Sequence, residues 1–350
     1  ECNIMLHYKF NPDLPLTAET PIDVATLAKL IPFRTGDVVA EYSCNIFNQS
    51  GSIYDIFGEL IDFGLVDIEQ AKALAGDNIT YDNQNRHFIA LKDGFPYLDE
   101  QGRICLLNSI TLSSKDIPAE AKIQCPIDLL LDGTIAFADI ECEADLYVQG
   151  DLHSCTVVCK KDLEVKGEII SCIKKGIIIG GNLECQSISG SNVLCQNDIH
   201  FTDKIESSTV VCDGEIVGAE GSSEICGGLT QAGNSITVFQ AGTYDRTKTE
   251  IEIALCPFYR NLLLLLTREL VHLKEEREIN ATAIAALENR IQNYETALDE
   301  NLNRILKTEQ PITKKIKVQD LCRPPIIFRI LKHSYEVSKP QKGLTFEEKD

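Results

Sequence analysis

DLLLDGTIAFADIECEA, beginning at Asp128, is followed without a break by DLYVQGDLHSCTVVCKK from Asp145 and DLEVKGEIISC from Asp162, one segment repeated at a spacing of 17. The repeat continues through Asn182, Asp198 and Glu215 at steps of 20, 16 and 17, and DIHFTDKIESSTVVCDG from Asp198 is a clear later copy. A fixed period of this length is the signature of a solenoid, in which each copy is one coil. The second residue of each coil is aliphatic, giving the column Leu129, Leu146, Leu163, Leu183, Ile199 and Ile216. The fourth gives Leu131, Val148, Val165, Cys185 and Phe201. Two positions apart means one face of a strand.

Two more columns follow in every coil. Ile123, Ile140, Val157, Ile177, Val193 and Val210 form one, and Cys125, Cys142, Cys159, Ile179, Cys195 and Cys212 form the other, two residues later. Aligning the 20-residue coil from its end keeps Ile177 and Ile179 in register and makes Lys174-Lys175-Gly176 a looped-out insertion. Gly133, Gly150 and Gly167 recur where the chain must corner, and a missing Cβ there permits positive φ. One coil cannot bury its own apolar face, so neighbours must stack at about 4.8 Å and supply both backbone hydrogen bonds and a continuous core. The expectation is a mainly β protein built on a parallel β-helix, right-handed by the general bias of β-crossovers.

Working outward, residues 1–104 have another texture, with short strands such as Gly36 to Tyr42 and a helical run from Ile68 to Ala75, which predicts a small α+β domain. The β-helix is expected over 105–257. From 258 to 310 the period becomes helical. Leu263, Leu266, Leu270 and Leu273, then Ile284, Leu287, Ile291, Tyr294, Leu298 and Ile305, recur at steps of three and four. The segment from Glu278 to Thr282 offers capping residues, so the reading is an antiparallel coiled-coil hairpin of two helices of about 25 residues, closed by Pro311. Strand alternation returns in 311–350, and a hairpin would bring those strands back to the β-helix.

Charge and cysteine usage narrow the function. The 53 acidic residues against 33 basic ones give −20, spread along the chain, which argues against a nucleic-acid partner. The longest aliphatic run, Leu262 to Leu266, is far too short for a membrane span. The chain opens Glu1-Cys2-Asn3, with neither the basic n-region nor the apolar core of a signal peptide, and a cytoplasmic setting is expected. Most of the fourteen cysteines fall on core columns rather than in zinc-knuckle spacing. Packing of small apolar thiols is the reading this favours; disulfides between adjacent coils and a metal site are the alternatives. His153 and His200 have the parity of solvent-facing residues. Asp151 and Asp162, near coil openings, suit turn and capping roles. There is no GxxxxGK[ST] loop and no six-residue acyltransferase repeat, and nothing marks the groove of a polysaccharide lyase. No catalytic, cofactor-binding or metal-ligating residue is assigned, and no cofactor is expected.

GDVVAEY at 36–42, DIFGELI at 55–61, the coils, the glycine-rich stretch from Ile225 to Ile236, the hairpin and the strands beyond it, taken in order, resemble the bacterial flagellar assembly protein A family over nearly the whole chain. Gly227, Gly228, Gly233 and Gly242 match the glycine pattern of that family, whereas Cys322-Arg323-Pro324-Pro325 stands where its members tend to carry a Tyr-Pro-Gly type turn. The resemblance implies a cytoplasmic bacterial scaffold that acts through protein contacts, in some members linked to flagellar assembly and sugar-transport signalling. It brings no catalytic residues. Two other classes stay open: a self-assembling structural element, homo-oligomeric through the hairpin or the β-helix, and a carbohydrate-active β-helix enzyme.

Overall fold

A computed structural model describes residues 3–14, 16–17, 21–45, 63–243, 247–275, 281–307 and 314–347. DIFGELI at 55–61, the 278–280 part of the hairpin turn and Pro311 lie outside them. The chain divides into two compact units, Glu1–Asp116 with Gln124–Leu130, and Ile117–Ile123 with Leu131–Asp350.

In the first unit, β1 (Asn3–Tyr8), the short helix α1 (Val24–Leu27), β2 (Val38–Asn45), α2 (Phe63–Ala73), β3 (Ile79–Asp82) and β4 (His87–Ala90) follow in order. The four strands make an antiparallel sheet of order β1-β2-β4-β3. Val39, Ala40, Tyr42 and Phe88 fill its core with Ala71 of the second helix, and a further hairpin pairs Phe95–Leu98 with Ile104–Leu107. The helix starts and ends earlier than the run Ile68 to Ala75 suggests.

The second unit carries the solenoid. Its strands pair parallel, and the residues that face one another are those that share a column in the sequence. Ile140 and Cys142 stand opposite Val157 and Cys159, which stand opposite Ile177 and Ile179. These lead to Val193 and Cys195, then to Val210 and Cys212. Leu146, Leu163, Leu183, Ile199 and Ile216 stack in the same manner on a second face. The Lys174-Lys175-Gly176 insertion leaves this register intact.

Each coil has a third face that the periodicity does not reveal. It is two residues wide and contributes one core side chain per coil, in the column Ile135, Leu152, Ile169, Ile188, Ile205 and Ile225. A strand this short has no alternation to detect. It ends in a left-handed corner at Phe137, Ser154, Ser171, Gly190, Ser207 and Gly227, with φ between 47 and 73°. The glycines that the sequence marks as corners behave differently. Gly133 has φ 110°, but Gly150 and Gly167 are not among the positive-φ residues. At Gly150 the constraint is space, since a Cβ would lie 2.6 Å from the amide nitrogen of Thr134 in the coil beneath.

Polar ladders bind coil to coil at the corners. Asp145 accepts the Asp162 amide, Asp162 the Asn182 amide, Asn182 the Asp198 amide, and Asp198 the Glu215 amide, at 2.6–3.2 Å. Asp151 accepts the Glu168 amide at 2.9 Å. The coil-opening residues therefore satisfy backbone N–H groups at the coil corners, tying each coil to the next.

After Thr249–Ile253 the chain leaves as α3 (Pro257–Glu275), returns as α4 (Ala281–Lys307), and resumes the solenoid. Lys315–Cys322 stacks parallel on Ser235–Ala241, and Ile326–Ile330 on Thr249–Ile253. Two antiparallel strands, His333–Val337 and Gln341–Glu347, then pair with this last coil. Nineteen and 27 residues make the hairpin's helices unequal, about 28 and 40 Å long.

Candidate functional site: the root of the helical hairpin

Ile178, Leu194 and Val211 occupy the outward parity of the first solenoid face and belong in water by the strand rule. Instead they form one apolar cluster with Phe258, Tyr259, Leu262 and Leu266 of α3 and Leu287 of α4. The first turns of α3 thus lie on the solenoid wall. That face is sandwiched between core and helix, which accounts for the unbroken apolar runs Ile177-Ile178-Ile179, Val193-Leu194-Cys195 and Val210-Val211-Cys212. In the coiled-coil seam, Leu262 takes the buried place expected for Leu263, and Ile305 is 39% exposed in the last turn of α4.

Polar contacts fix the direction in which α3 runs. Lys175, in the inserted loop, pairs with Glu269 at 2.7 Å, so the insertion reaches the second half of α3. Gln196 donates to the Tyr259 hydroxyl at 3.0 Å, and Asn261 donates to Gln231 at 3.1 Å. From its first residues near Asp213, the helix passes back across earlier coils.

Asp213 sits where the chain departs and returns. Its carboxylate accepts the Phe258 amide at 2.8 Å, one of the donors that a helix N-terminus leaves unsatisfied, and favours the positive end of the dipole. Lys314, the first described residue after the hairpin, is buried and donates to the Gly233 carbonyl. Burial pushes the Asp213 carboxyl up to about 6, against the opposing pull of the Phe258 N–H and the charges of Lys314 and Arg260. The desolvation outweighs the attraction, so this acid is a strained clasp rather than a comfortable ion pair.

Two open clefts mark the solenoid surface, one of them at the root. One of about 370 Å³ lies between the corner ladder and α4, lined by Asn197, Asp198, Asn234, Tyr259, Asn301 and Arg304. The other, about 400 Å³, lies on the second face beside Lys166, Glu184, His200 and Thr202. Both can hold polar groups, and the thiol of Cys185, which also lines the second, is buried and held protonated by desolvation. His200 is exposed, and His153 is half-buried with its ring 6.0 Å from that of Phe137.

The cysteines have a role beyond filling space. Cys142, Cys159 and Cys195 each point a thiol at the carbonyl of the coil-opening residue three positions on, Asp145, Asp162 and Asp198, at 3.2–3.5 Å. Cys155 and Cys172 do the same at the left-handed corner, toward the carbonyls of His153 and Ile170. In the next coils Ser191 and Ser208 take over that column and donate to Ser189 and Glu206 at 2.8 and 2.7 Å. Desolvation raises the thiols of Cys185 and Cys195 to about 12 and that of Cys172 to about 11, which leaves them protonated. Among the described residues, twelve buried cysteines form no disulfide and no group of three or more His, Cys, Asp or Glu is placed to hold a metal. Among the same residues, no helix is long and apolar enough to cross a membrane.

Sequence reasoning missed the hairpin's seat on the solenoid and its Asp213 clasp. The apolar runs at 177–179, 193–195 and 210–212 carry the signal for the seat, since a half-exposed strand would alternate. Asp213 has no such signal, because acidic residues recur at many corners.

Comparison with known proteins agrees with this architecture. No curated protein and no solved structure matches the chain. A family model described as the flagellar assembly protein A beta solenoid domain matches residues 136–350, which takes in the solenoid from its third face onward, the clasp, the hairpin and the closing strands. The chain belongs to the flagellar assembly protein A β-solenoid family.

Proposed function

We propose that the protein is a non-enzymatic scaffold, linked to flagellar assembly or its regulation, that holds a helical hairpin in a fixed position for protein contacts. The observation that carries this reading is the seating of the hairpin. It is inserted between two successive coils, rests on Ile178, Leu194 and Val211, and is clasped at both ends of its root by Asp213 and Lys314. An insertion that served only as a linker would not need an apolar seat spread over three coils. Rigid display lowers the ordering cost of recognition and so favours binding. The family linkage supports the flagellar setting, and the burial that keeps the thiols protonated makes them poor nucleophiles, which favours binding over catalysis.

The test is affinity capture from a lysate of the native host, using the intact chain beside a version in which 258–310 is replaced by a short linker, with partners identified by mass spectrometry. A flagellar or regulatory protein retained by the first and lost by the second is the expected result. Equal retention by both would move the binding surface onto the solenoid. A turnover of polysaccharide substrates by the intact chain would overturn the scaffold reading.

A further inference from the structure

The hairpin has one face against the solenoid and one face away from it, and the two helices differ sharply in charge on the outer face. On α3, the solenoid side is marked by the Lys175–Glu269 pair and by buried Leu262 and Leu266. Opposite them, at steps of three and four, stand Arg260, Leu264, Arg268 and Val271, all exposed, with Leu264 and Val271 each 51% accessible. Up to Val271 this stripe is basic and apolar on a protein of net charge −20, and the exposed Glu275 ends it.

On α4, the solenoid side is marked by Asn301 and Arg304, which line the polar cleft. The outer side carries Glu288, Gln292, Glu295 and Asp299, again at steps of three and four and all exposed. Lys274 and Glu288 pair at 2.7 Å along the rim where the two stripes meet. A basic, apolar stripe therefore lies beside an acidic stripe on a single surface.

We infer that this outer face is a self-association surface, and that its occupant is the same face of a second copy of this chain. A surface with one basic and one acidic half is complementary to itself, provided that the symmetry lays each half on the other. A two-fold axis parallel to the helices does this: α3 of one chain packs on α4 of the other, twice, as an isologous interface requires. A two-fold axis perpendicular to the helices stacks like charge on like charge.

The hairpin's internal level marks fix the expected partners. Tyr259 packs beside Tyr294, their rings 6.4 Å apart, and Lys274 reaches Glu288. Arg268 falls between these contacts, which places it between Glu288, already paired with Lys274, and Glu295 of the second copy, with Leu264 and Val271 covered at the centre. The charge pairs choose the orientation and the two apolar residues supply the buried area.

Sedimentation velocity of the full-length chain across micromolar concentrations tests this, together with two charge-reversed variants. One is Glu295→Lys with Asp299→Lys, and the other is Thr267→Glu with Arg268→Glu; Arg260 is spared because it lies near Asp213. Wild type is expected to sediment as a dimer whose dissociation constant rises with salt. Each variant alone is expected to dissociate at least about tenfold more readily. An equimolar mixture of the two variants is expected to restore the dimer, because each reversed stripe then meets its opposite. All four positions are exposed; circular dichroism checks the fold, and Arg268→Glu with Glu295→Lys as single changes carry the same comparison if a double variant misfolds. The inference is overturned by a wild-type monomer at every concentration, by a dimer that survives both reversals, or by a mixture that stays monomeric.

Discussion

At the scale of single residues, the fold is decided at its corners. The column Cys155, Cys172, Ser191 and Ser208 shows that sulfur and oxygen do one task there, donating to a carbonyl two positions back. Cys172→Ser should therefore change stability by less than about 1 kcal/mol, whereas Cys172→Val, which removes the second donor to a carbonyl that still accepts the Ser154 amide and adds bulk to a packed core, should cost about 1–3 kcal/mol in urea unfolding. A sharper case is Ser208→Ala, since the Ser208 hydroxyl also accepts the buried Ser191 amide at 3.1 Å. A loss of about 1–3 kcal/mol is expected. Asp213 gives a pH dependence. Its folded value of about 6 lies above the ordinary 3.8, so the native state holds the proton more tightly. The contribution of this group to stability accordingly falls as pH rises through the window from about 4 to 6 and is level above it. Asp213→Asn keeps an acceptor for the Phe258 amide and should flatten that slope in thermal melts between pH 4 and 7; an unchanged slope would assign it to another group.

At the scale of elements, the strand columns were legible because stacking demands it: residues that face each other across coils must repeat at the coil period, and Ile140, Val157, Ile177, Val193 and Val210 do. The third face was not, because one buried residue per coil has no partner two positions away to mark the strand. The glycines were found for a reason that holds at Gly133 but fails at Gly150, where close approach of the next coil replaces backbone conformation as the constraint. The hairpin's existence was plain from its period, but its seat depends on which outward strand residues it covers, a tertiary choice that periodicity does not encode. That seat predicts separable stabilities. Leu262→Ala, at a position 1% exposed, should cost about 2–5 kcal/mol, felt mostly by the hairpin. Hydrogen exchange should then show α3 and α4 losing protection while the strands at 156–159 and 192–195 keep theirs. Loss of protection throughout would mean that hairpin and solenoid unfold as one unit.

At the scale of the whole molecule, the solenoid is a column of apolar and thiol side chains closed off from water, and its cysteines should react accordingly. With the native chain at pH 8, an aromatic disulfide reagent should modify the buried thiols at least about a hundredfold more slowly than in guanidinium, where all fourteen become available. Fast reaction of several thiols in the native state would show that coils open readily. The last coil is unusual in another respect: Gln240 and Asp320 touch at 2.7 Å although they are 80 residues apart, because the hairpin is inserted between them. On a ribosome adding about 5–20 residues per second, each earlier coil can stack within about 1–3 seconds of its predecessor, but this one must wait about 3–12 seconds for the roughly sixty residues of the detour. During that pause the growing end presents Ser235–Ala241 and Thr249–Ile253 as bare edges, open to whatever other nascent strand is near. The α3 helix is synthesised before the strands that close the gap, so the order of synthesis offers the hairpin to its seat before the solenoid wall above it can be completed.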